Sequence, residues 1–251
     1  MFIYSHNPNS EGAKALAEAL KATRIRHEKS TFKGAANKVV INWGAHNLPE
    51  EITKCRVINT PTAIQVAANK LSFFQQMSNN HEGPRIPPWT TDTDQVGRWL
   101  NAGTTVVART VLNGSSGVGM LFIEPGNIIP VSPLYTQYIK KKTEYRIHFM
   151  NGRIIDTQRK ALRPEFKDGR EINWRVRNLD NGFVFIRNDI VVPGDVVTQA
   201  NLAIAATDLD FGAIDLIYNE QSNQAYVLEI NTAPGLVGTT VTNYANAFAS
   251  L

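Results

Sequence analysis

Residues 211–235 read FGAIDLIYNEQSNQAYVLEINTAPG, and how they fold decides the rest of the chain. Two apolar runs, either side of the polar stretch Asn219–Asn223, predict an antiparallel hairpin. Residues i and i+2 of a strand share a face, so Glu229 and Asn231 point together, and the turn brings Asp215 beside them. Two carboxylates and an amide oxygen on one sheet face form a hard-oxygen donor set suited to Mg²⁺, with phosphate and water completing the octahedron. The competing reading is a solvated acidic face. Ile214, Leu216, Ile217, Leu228 and Ile230 flank the acids as core residues, and carboxylates among them are costly without partner cations.

Upstream, residues 144–161, EYRIHFMNGRIIDTQRKA, predict a second hairpin turning at Asn151-Gly152, a type I′ signal. Before it, Thr104–Thr110 reads as a strand, followed by LNGSSGVGMLF (112–122), a strand–glycine loop–strand. Gly114 and Gly117 let the backbone approach a ligand, and Ser115, Ser116 and the loop N–H groups suit phosphate oxygens. The same composition also describes a simple flexible turn. Lys70, Arg109 and Lys160 sit in or beside ordered elements. They are read either as cations converging on a triphosphate or as surface residues snorkelling from apolar faces. Leu162–Asn181 is polar and charged and predicts a loop over the site. Asp195–Leu209 predicts a helix, as do about the last twelve residues.

The opening of the chain alternates differently. Phe2–Ser5, Lys38–Trp43 and Arg56–Asn59 read as strands. Ser10 caps a helix whose Ala13, Leu16, Ala17 and Leu20 share one face. This is a small parallel α/β unit. Thr60-Pro61 starts a further helix that continues to about Met77 with a break near Asn69, and SNNHEGPRIPPW marks a boundary. A short helix is expected around Asp94–Asn101.

The whole chain has 251 residues, one cysteine (Cys55) and a net charge of +4. This excludes a disulfide framework and a multi-thiolate zinc site. The apolar runs are too short for a membrane helix, and the first residues lack the pattern of a signal peptide. A cytoplasmic protein without a membrane partner is expected. Between Tyr138 and Arg187 there are 13 Lys/Arg against 6 Asp/Glu, a basic segment suited to a polyphosphate or an acidic substrate. Its aromatics do not form stacking platforms, so nucleic acid is not the expected partner. The five histidines show no metal-ligand spacing and are read as surface or satisfied polar residues.

Taken together, DLIYNEQSNQAYVLEINTAPG (215–235), VVARTVLNGSSGVGM (106–120) and LYTQYIKKKTEYRIHFMNGRIIDTQRKA (134–161) resemble the ATP-grasp superfamily of carboxylate–amine ligases. The D-alanine–D-alanine ligases and the ribosomal-protein glutamate ligases are among its members. The first stretch is similar to the acid-bearing hairpin ending in E-x-N-x-x-P-G, the second to the strand and phosphate-covering loop, the third to the adenine-holding linker. The resemblance runs from Thr60 to Leu251. It implies an α+β fold in which two α+β subdomains clasp ATP, residues 60–136 carrying the glycine loop and 137–251 the metal site. Residues 1–59 would be a shortened α/β domain preceding that core.

The resemblance also implies roles. Lys70 and Arg109 would be the nucleotide cations, Arg109 standing where the family usually has lysine in a V-x-K-P context. Gln137 with the backbone of Tyr138 and Ile139 would recognise adenine, Glu144 would hold the ribose, and Lys160 would reach the phosphates. Asp215, Glu229 and Asn231 would ligate two Mg²⁺ ions, with Mn²⁺ as an alternative. Arg146, Arg175, Arg177 and Asn178 would hold the acylphosphate or the acceptor, and Thr239 and Thr240 a substrate. The implied activity is ADP-forming amide or peptide bond formation through an acylphosphate. The implied substrates are small-molecule, peptide or protein-tail carboxylates and amines, handled by a monomer or homodimer. A non-catalytic Mg–ATP-binding module and a phosphotransferase on the same scaffold are the alternatives.

Overall fold

The computed structural model describes residues 1–79, 81–114, 117–166, 171–188 and 190–251. Its N-terminal unit runs β1 (Phe2–Ser5), α1 (Glu11–Leu20), β2 (Thr23–Arg24), β3 (Val39–Trp43), α2 (Glu50–Thr53) and β4 (Arg56–Ile58). The strands form one parallel sheet in the order β2-β1-β3-β4. Helix α1 starts where the Ser10 side chain accepts the Ala13 N–H, and it stops at Lys21 in the left-handed region. Of the face expected of it, Ala13, Leu16 and Ala17 are buried and Leu20 packs partly buried beside them.

Next come α3 (Pro61–Ala68), α4 (Lys70–Asn79), β5 (Trp89–Thr90), α5 (Thr93–Asn101), β6 (Val106–Arg109), β7 (Met120–Ile123) and β8 (Tyr135–Gln137). Thr60 accepts the Ala63 N–H and Pro61 opens α3, as the sequence indicates. The expected break falls at Asn69, whose backbone is extended. Its Oδ1 then accepts the Ser72 N–H at 3.1 Å, so the residue that ends α3 also caps α4. Strands β5–β8 form an antiparallel sheet in the order β5-β8-β6-β7.

The remainder holds β9 (Thr143–Met150), β10 (Arg153–Leu162), a 3₁₀ turn (Pro164–Phe166), β11 (Phe183–Ile186), α6 (Gly194–Ala206), β12 (Phe211–Asn219), β13 (Gln224–Asn231) and α7 (Thr239–Ala249). Both predicted hairpins are present, and they join through β9 and β12 into one antiparallel sheet in the order β11-β10-β9-β12-β13. Asn151 and Gly152 have φ of 47° and 74°, the two left-handed residues that a type I′ turn requires. Helix α6 ends three residues before the expected Leu209, because Thr207 turns extended. The short strands β2, β5, β8 and β11 have too few residues to show a period and emerge only through pairing.

A core of aromatic residues ties the first sheet to the acid hairpin. Trp43 at the end of β3 stacks on Phe211 at the start of β12, with ring centroids 5.1 Å apart. Tyr244 and Phe248 of α7 pack edge-on against Phe211. Beside them Asn59 adopts φ +64°, a conformation asparagine tolerates better than most residues. There its Oδ1 accepts the Asp210 N–H at 2.7 Å, its Nδ2 donates to the Phe211 carbonyl, and its own N–H donates to Asp210 Oδ2. The apolar core therefore runs across position 59/60 without interruption. Among the described residues, no helix is long and apolar enough to cross a membrane.

Candidate active site

Register sets the site. Across three neighbouring strands, Arg146 of β9, Asp215 of β12 and Glu229 of β13 are directly opposite one another, and Gln158 of β10 pairs with Arg146 on the other side. Such cross-strand partners share a face, so the sheet presents a polar row of alternating character. Two residues away on the same face come Glu144 and Lys160. Asn231 follows Glu229 by two positions and donates to Asp215 Oδ2 at 3.2 Å. The three proposed metal-binding side chains are thus brought together.

Cations meet the acids. Arg146 holds Asp215 in a bidentate pair, Nε to Oδ1 at 2.6 Å and an Nη to Oδ2 at 2.7 Å. Burial works to raise the Asp215 carboxyl's pKa, but Arg146 outweighs it, with help from Lys160 and Asn231, and the carboxyl sits below its usual range. For Arg146 the sense is reversed: burial opposes its charge, and Asp215 more than restores it. Glu144, almost fully buried, lies 2.8 Å from both Lys141 and Lys160 and 3.7 Å from Arg177. Burial again acts to raise its pKa, and the two lysines pull it below the ordinary carboxylate value. The carboxylate proposed for ribose is therefore gripped by cations on both oxygens. The Phe185 ring of β11 lies over the guanidinium of Arg146 at 4.2 Å and the ammonium of Lys160 at 5.1 Å, a cation–π lid on the cluster.

The opposite wall comes from the helix break and the small sheet. Lys70 is the first residue of α4, and its N–H donates to the Leu112 carbonyl at 3.0 Å. Its ammonium donates to the Gly114 carbonyl and lies 3.7 Å from Glu229. Burial lowers its pKa, against the pull of Glu229. Arg109 ends β6 and is 9% exposed. Burial lowers its pKa too, though a guanidinium stays charged. Among the described residues its buried Nε has no hydrogen-bond acceptor, a donor free to meet a ligand oxygen.

These walls enclose a cavity of about 660 Å³, within the range of small-molecule sites. Lys70, Arg109, Gly114 and Gly117 line it on one side, and Lys160, Asp215, Glu229 and Asn231 on the other. Arg146, Arg175, Arg177 and Asn178 line it as well. Arg175 donates to Glu124 at 2.6 Å and lies over the Phe122 and Tyr138 rings, whereas Arg177 donates to the carbonyls of Lys141 and Lys142. Ser115 and Ser116 lie outside the described residues.

Gln137 ends β8, Tyr138 and Ile139 follow it, and none of the three lines this cavity; the Gln137 N–H donates to the Pro88 carbonyl and the Tyr138 N–H to the Thr105 carbonyl. Thr239 is exposed at the start of α7. Thr240 is fully buried, donating to Asp156 at 2.7 Å and accepting from Gln158 at 2.9 Å, so its hydroxyl is spent inside the protein. Lys141, Gln158 and Phe185 are lining residues that the sequence reading did not single out. The run of three lysines gave the only signal for Lys141, and nothing in it says which of the three is buried.

Among the described residues, no cluster of three or more His, Cys, Asp or Glu side chains forms a ready-made cation cage. Two carboxylates and one amide, each carboxylate already faced by a protein cation, fit an ion that arrives with most of its ligands, as Mg²⁺ does on a phosphate chain.

This chain sets an antiparallel sheet carrying acids and a small antiparallel sheet with a glycine loop beside a parallel α/β unit, and solved structures match nearly its whole length. The chain has the ATP-grasp fold. The ATP-grasp ligase PsnB, in complex with a minimal precursor, superposes with a TM-score of 0.68 at 13% identity, covering 99% of this chain and 97% of that one. The D-cycloserine synthetase DcsG gives 0.67 at 18% identity, with coverage of 99% and 98%. The macrocyclase MdnB from Microcystis aeruginosa MRC gives 0.63 at 17% identity, with coverage of 99% and 97%. No family model and no curated protein matches the sequence.

Proposed function

We propose that the protein is an ATP-dependent carboxylate–amine ligase that forms an amide or peptide bond and releases ADP and phosphate. One observation carries this reading: Lys70 and Arg109, the latter with a buried and unpartnered Nε, face Asp215, Glu229 and Asn231 across one cavity. A triphosphate is the ligand that needs cations along one side and a metal along the other. Asp215, Glu229 and Asn231 would hold Mg²⁺, two ions in the fullest arrangement, and the metal when bound neutralises charge on the terminal phosphates. Lys70 and Arg109 bind and orient the phosphates, and Lys160, reaching in from β10, adds a third charge. Arg146 holds Asp215 in place and stands ready as a counter-charge. Arg175, Arg177 and Asn178 border the opening as candidates for orienting the acyl group or its acceptor. Gln137, Tyr138 and Ile139 do not line this cavity, so the nucleoside would have to extend beyond it to reach them, and Glu144, expected at the ribose, also supports the lysines around it.

In this reaction a substrate carboxylate attacks the γ-phosphate to give an acylphosphate, and an amine displaces the phosphate. No protein nucleophile is needed; the chain supplies position and charge. Related folds handle peptides: PsnB was solved with its precursor, Mg and ADP, and the Chryseobacterium gregarium ligase with a leader and core peptide. Peptide or amino-acid substrates in a reducing, cytoplasmic setting fit this chain too. The test is release of ADP and phosphate from Mg–ATP in the presence of pooled amino acids, amides, peptides and polyamines. Stimulation by one pool, with a product heavier by the expected condensation, supports the ligase. Mg–ATP binding with no pool stimulating turnover favours the binding module, and a phosphorylated product favours the phosphotransferase.

A further inference from the structure

A second cavity, of about 750 Å³, shares a wall with the first: Lys70, Gly114, Glu229 and Asn231 line both. Its far side is the N-terminal parallel sheet. The chain leaves β1 for β2 on one side, whereas β3 lies on the other and continues outward to β4. The gap beyond the carboxyl ends of β1 and β3 is therefore the switch point of the sheet, where open α/β folds place ligands. His6 and Asn7 follow β1 there, and Gly44 and His46 follow β3. The two imidazoles face each other with ring centroids 6.0 Å apart, and both residues line the cavity. Gly44, at φ +83°, passes so close to the segment that follows the acid strand that a Cβ would stand 2.7 Å from that of Ala233. The histidine wall and the end of the acid hairpin are thus held in direct contact.

Charge narrows what fits. Among the described residues lining the second cavity, Lys70 and Glu229 are the only Lys, Arg, Asp or Glu, and both face the first cavity as well. The rest of its polar lining is imidazole, amide and hydroxyl, from residues such as Gln65, Asn69 and Asn113. A polyamine would need further carboxylates here and an acidic tail further cations; the described lining residues supply neither.

We propose that this second cavity holds the amine substrate, a compound that carries no charge beyond its reacting amine, and that the His6–His46 pair takes the amine's proton. This rests on the ligase reading above. An ammonium cannot attack, so one proton must leave first, and imidazole is the side chain suited to accept it near neutral pH. Lys70 and Glu229 are committed to phosphate and metal, which leaves the histidines. The proton passes from nitrogen to an imidazole. The free amine then forms the N–C bond as the C–O bond to phosphate breaks. Phosphate departs with that electron pair and the amine's second proton, and the imidazolium returns its proton to solvent.

The experiment is histidine ¹H–¹³C NMR of the full chain with Mg²⁺ and a non-hydrolysable ATP analogue, titrated with amino-acid amides, dipeptides, glutamyl peptides and polyamines. The expected result is that neutral amides or dipeptides shift the His6 and His46 signals while His81 and His148 stay fixed. Shifts from polyamines or glutamyl peptides alone, or no shift from any compound, would overturn the proposal. Calorimetry on the same samples reports nucleotide binding, so failure of the ligase reading shows separately as an absent nucleotide signal. Both histidines are exposed, and His6→Gln with His46→Gln leaves the core untouched. With the amine substrate this double variant should lose at least tenfold in kcat. Trapping of the acylphosphate by hydroxylamine, which is already uncharged, should be unchanged; an equal loss in both reactions would overturn the proton role.

Discussion

Replacing Arg146 by Met tests the central electrostatic arrangement of the site. Arg146 and Asp215 face each other across neighbouring strands, joined by hydrogen bonds of 2.6 and 2.7 Å, with side chains only 17% and 16% exposed. So little exposure leaves little solvent screening. Removing one partner of such a pair strands the other charge, at a cost of about 3–5 kcal/mol. With a urea m-value of roughly 2–3 kcal/mol/M for a chain of this size, the midpoint should fall by about 1–2.5 M. The companion variant Arg146→Met with Asp215→Leu removes both charges, and its stability should return to within about 1 kcal/mol of wild type. The pH dependence has a defined sign. The Asp215 carboxyl is depressed in the fold, so the pair's contribution is present above the unfolded aspartate value and is lost as pH falls through the folded one. In Arg146→Met that acid-side loss should vanish. Chemical denaturation followed by circular dichroism at several pH values reads all three quantities. A loss below about 1 kcal/mol for the single variant, typical of a surface pair, would refute the reasoning, as would a double variant no more stable than the single.

Other outcomes follow from the same structure. Phe211→Ala removes the ring on which Trp43, Tyr244 and Phe248 converge and should cost about 3–5 kcal/mol, read as a fall in the denaturation midpoint. His148 is fully buried, and desolvation together with Arg146 depresses its pKa from 6.5 to about 4. The unfolded chain takes up a proton there that the folded one refuses, so stability should fall between pH 6.5 and 4 by roughly 3 kcal/mol. His148→Gln should flatten that slope in urea titrations across the same window. Lys70→Met should weaken Mg–ATP binding about 10–100-fold in calorimetry, the worth of one charge-assisted contact, with the denaturation midpoint little changed.

Much of this was legible because the informative segments are long and periodic. The two hairpins of the five-stranded sheet, the Asn151-Gly152 turn and the Thr60-Pro61 start all carry local signals strong enough to fix them. So does the break at Asn69, whereas the approach of Lys70 to Glu229 comes only from the fold. What the sequence hid is what only tertiary pairing creates. Phe183–Ile186 carries little signal of its own, yet as an edge strand it lays Phe185 over Arg146 and Lys160. His6 and His46 are forty residues apart and lack ligand spacing, and they meet because parallel strands end side by side. Thr240 follows the P-G turn at a suggestive distance, but the start of α7 rotates its hydroxyl towards Asp156. The three lysines at 140–142 look alike in sequence; only register shows that the middle one is buried against Glu144.

The most direct measurement compares wild type with Glu229→Gln for ADP and phosphate release from Mg–ATP across the substrate pools. The substitution keeps the shape of the side chain while removing one of the two carboxylates that face the phosphate-binding cations. The account predicts substrate-stimulated turnover in the wild type and its loss by at least a hundredfold in Glu229→Gln, with the fold retained. Equal turnover in the two proteins would contradict it.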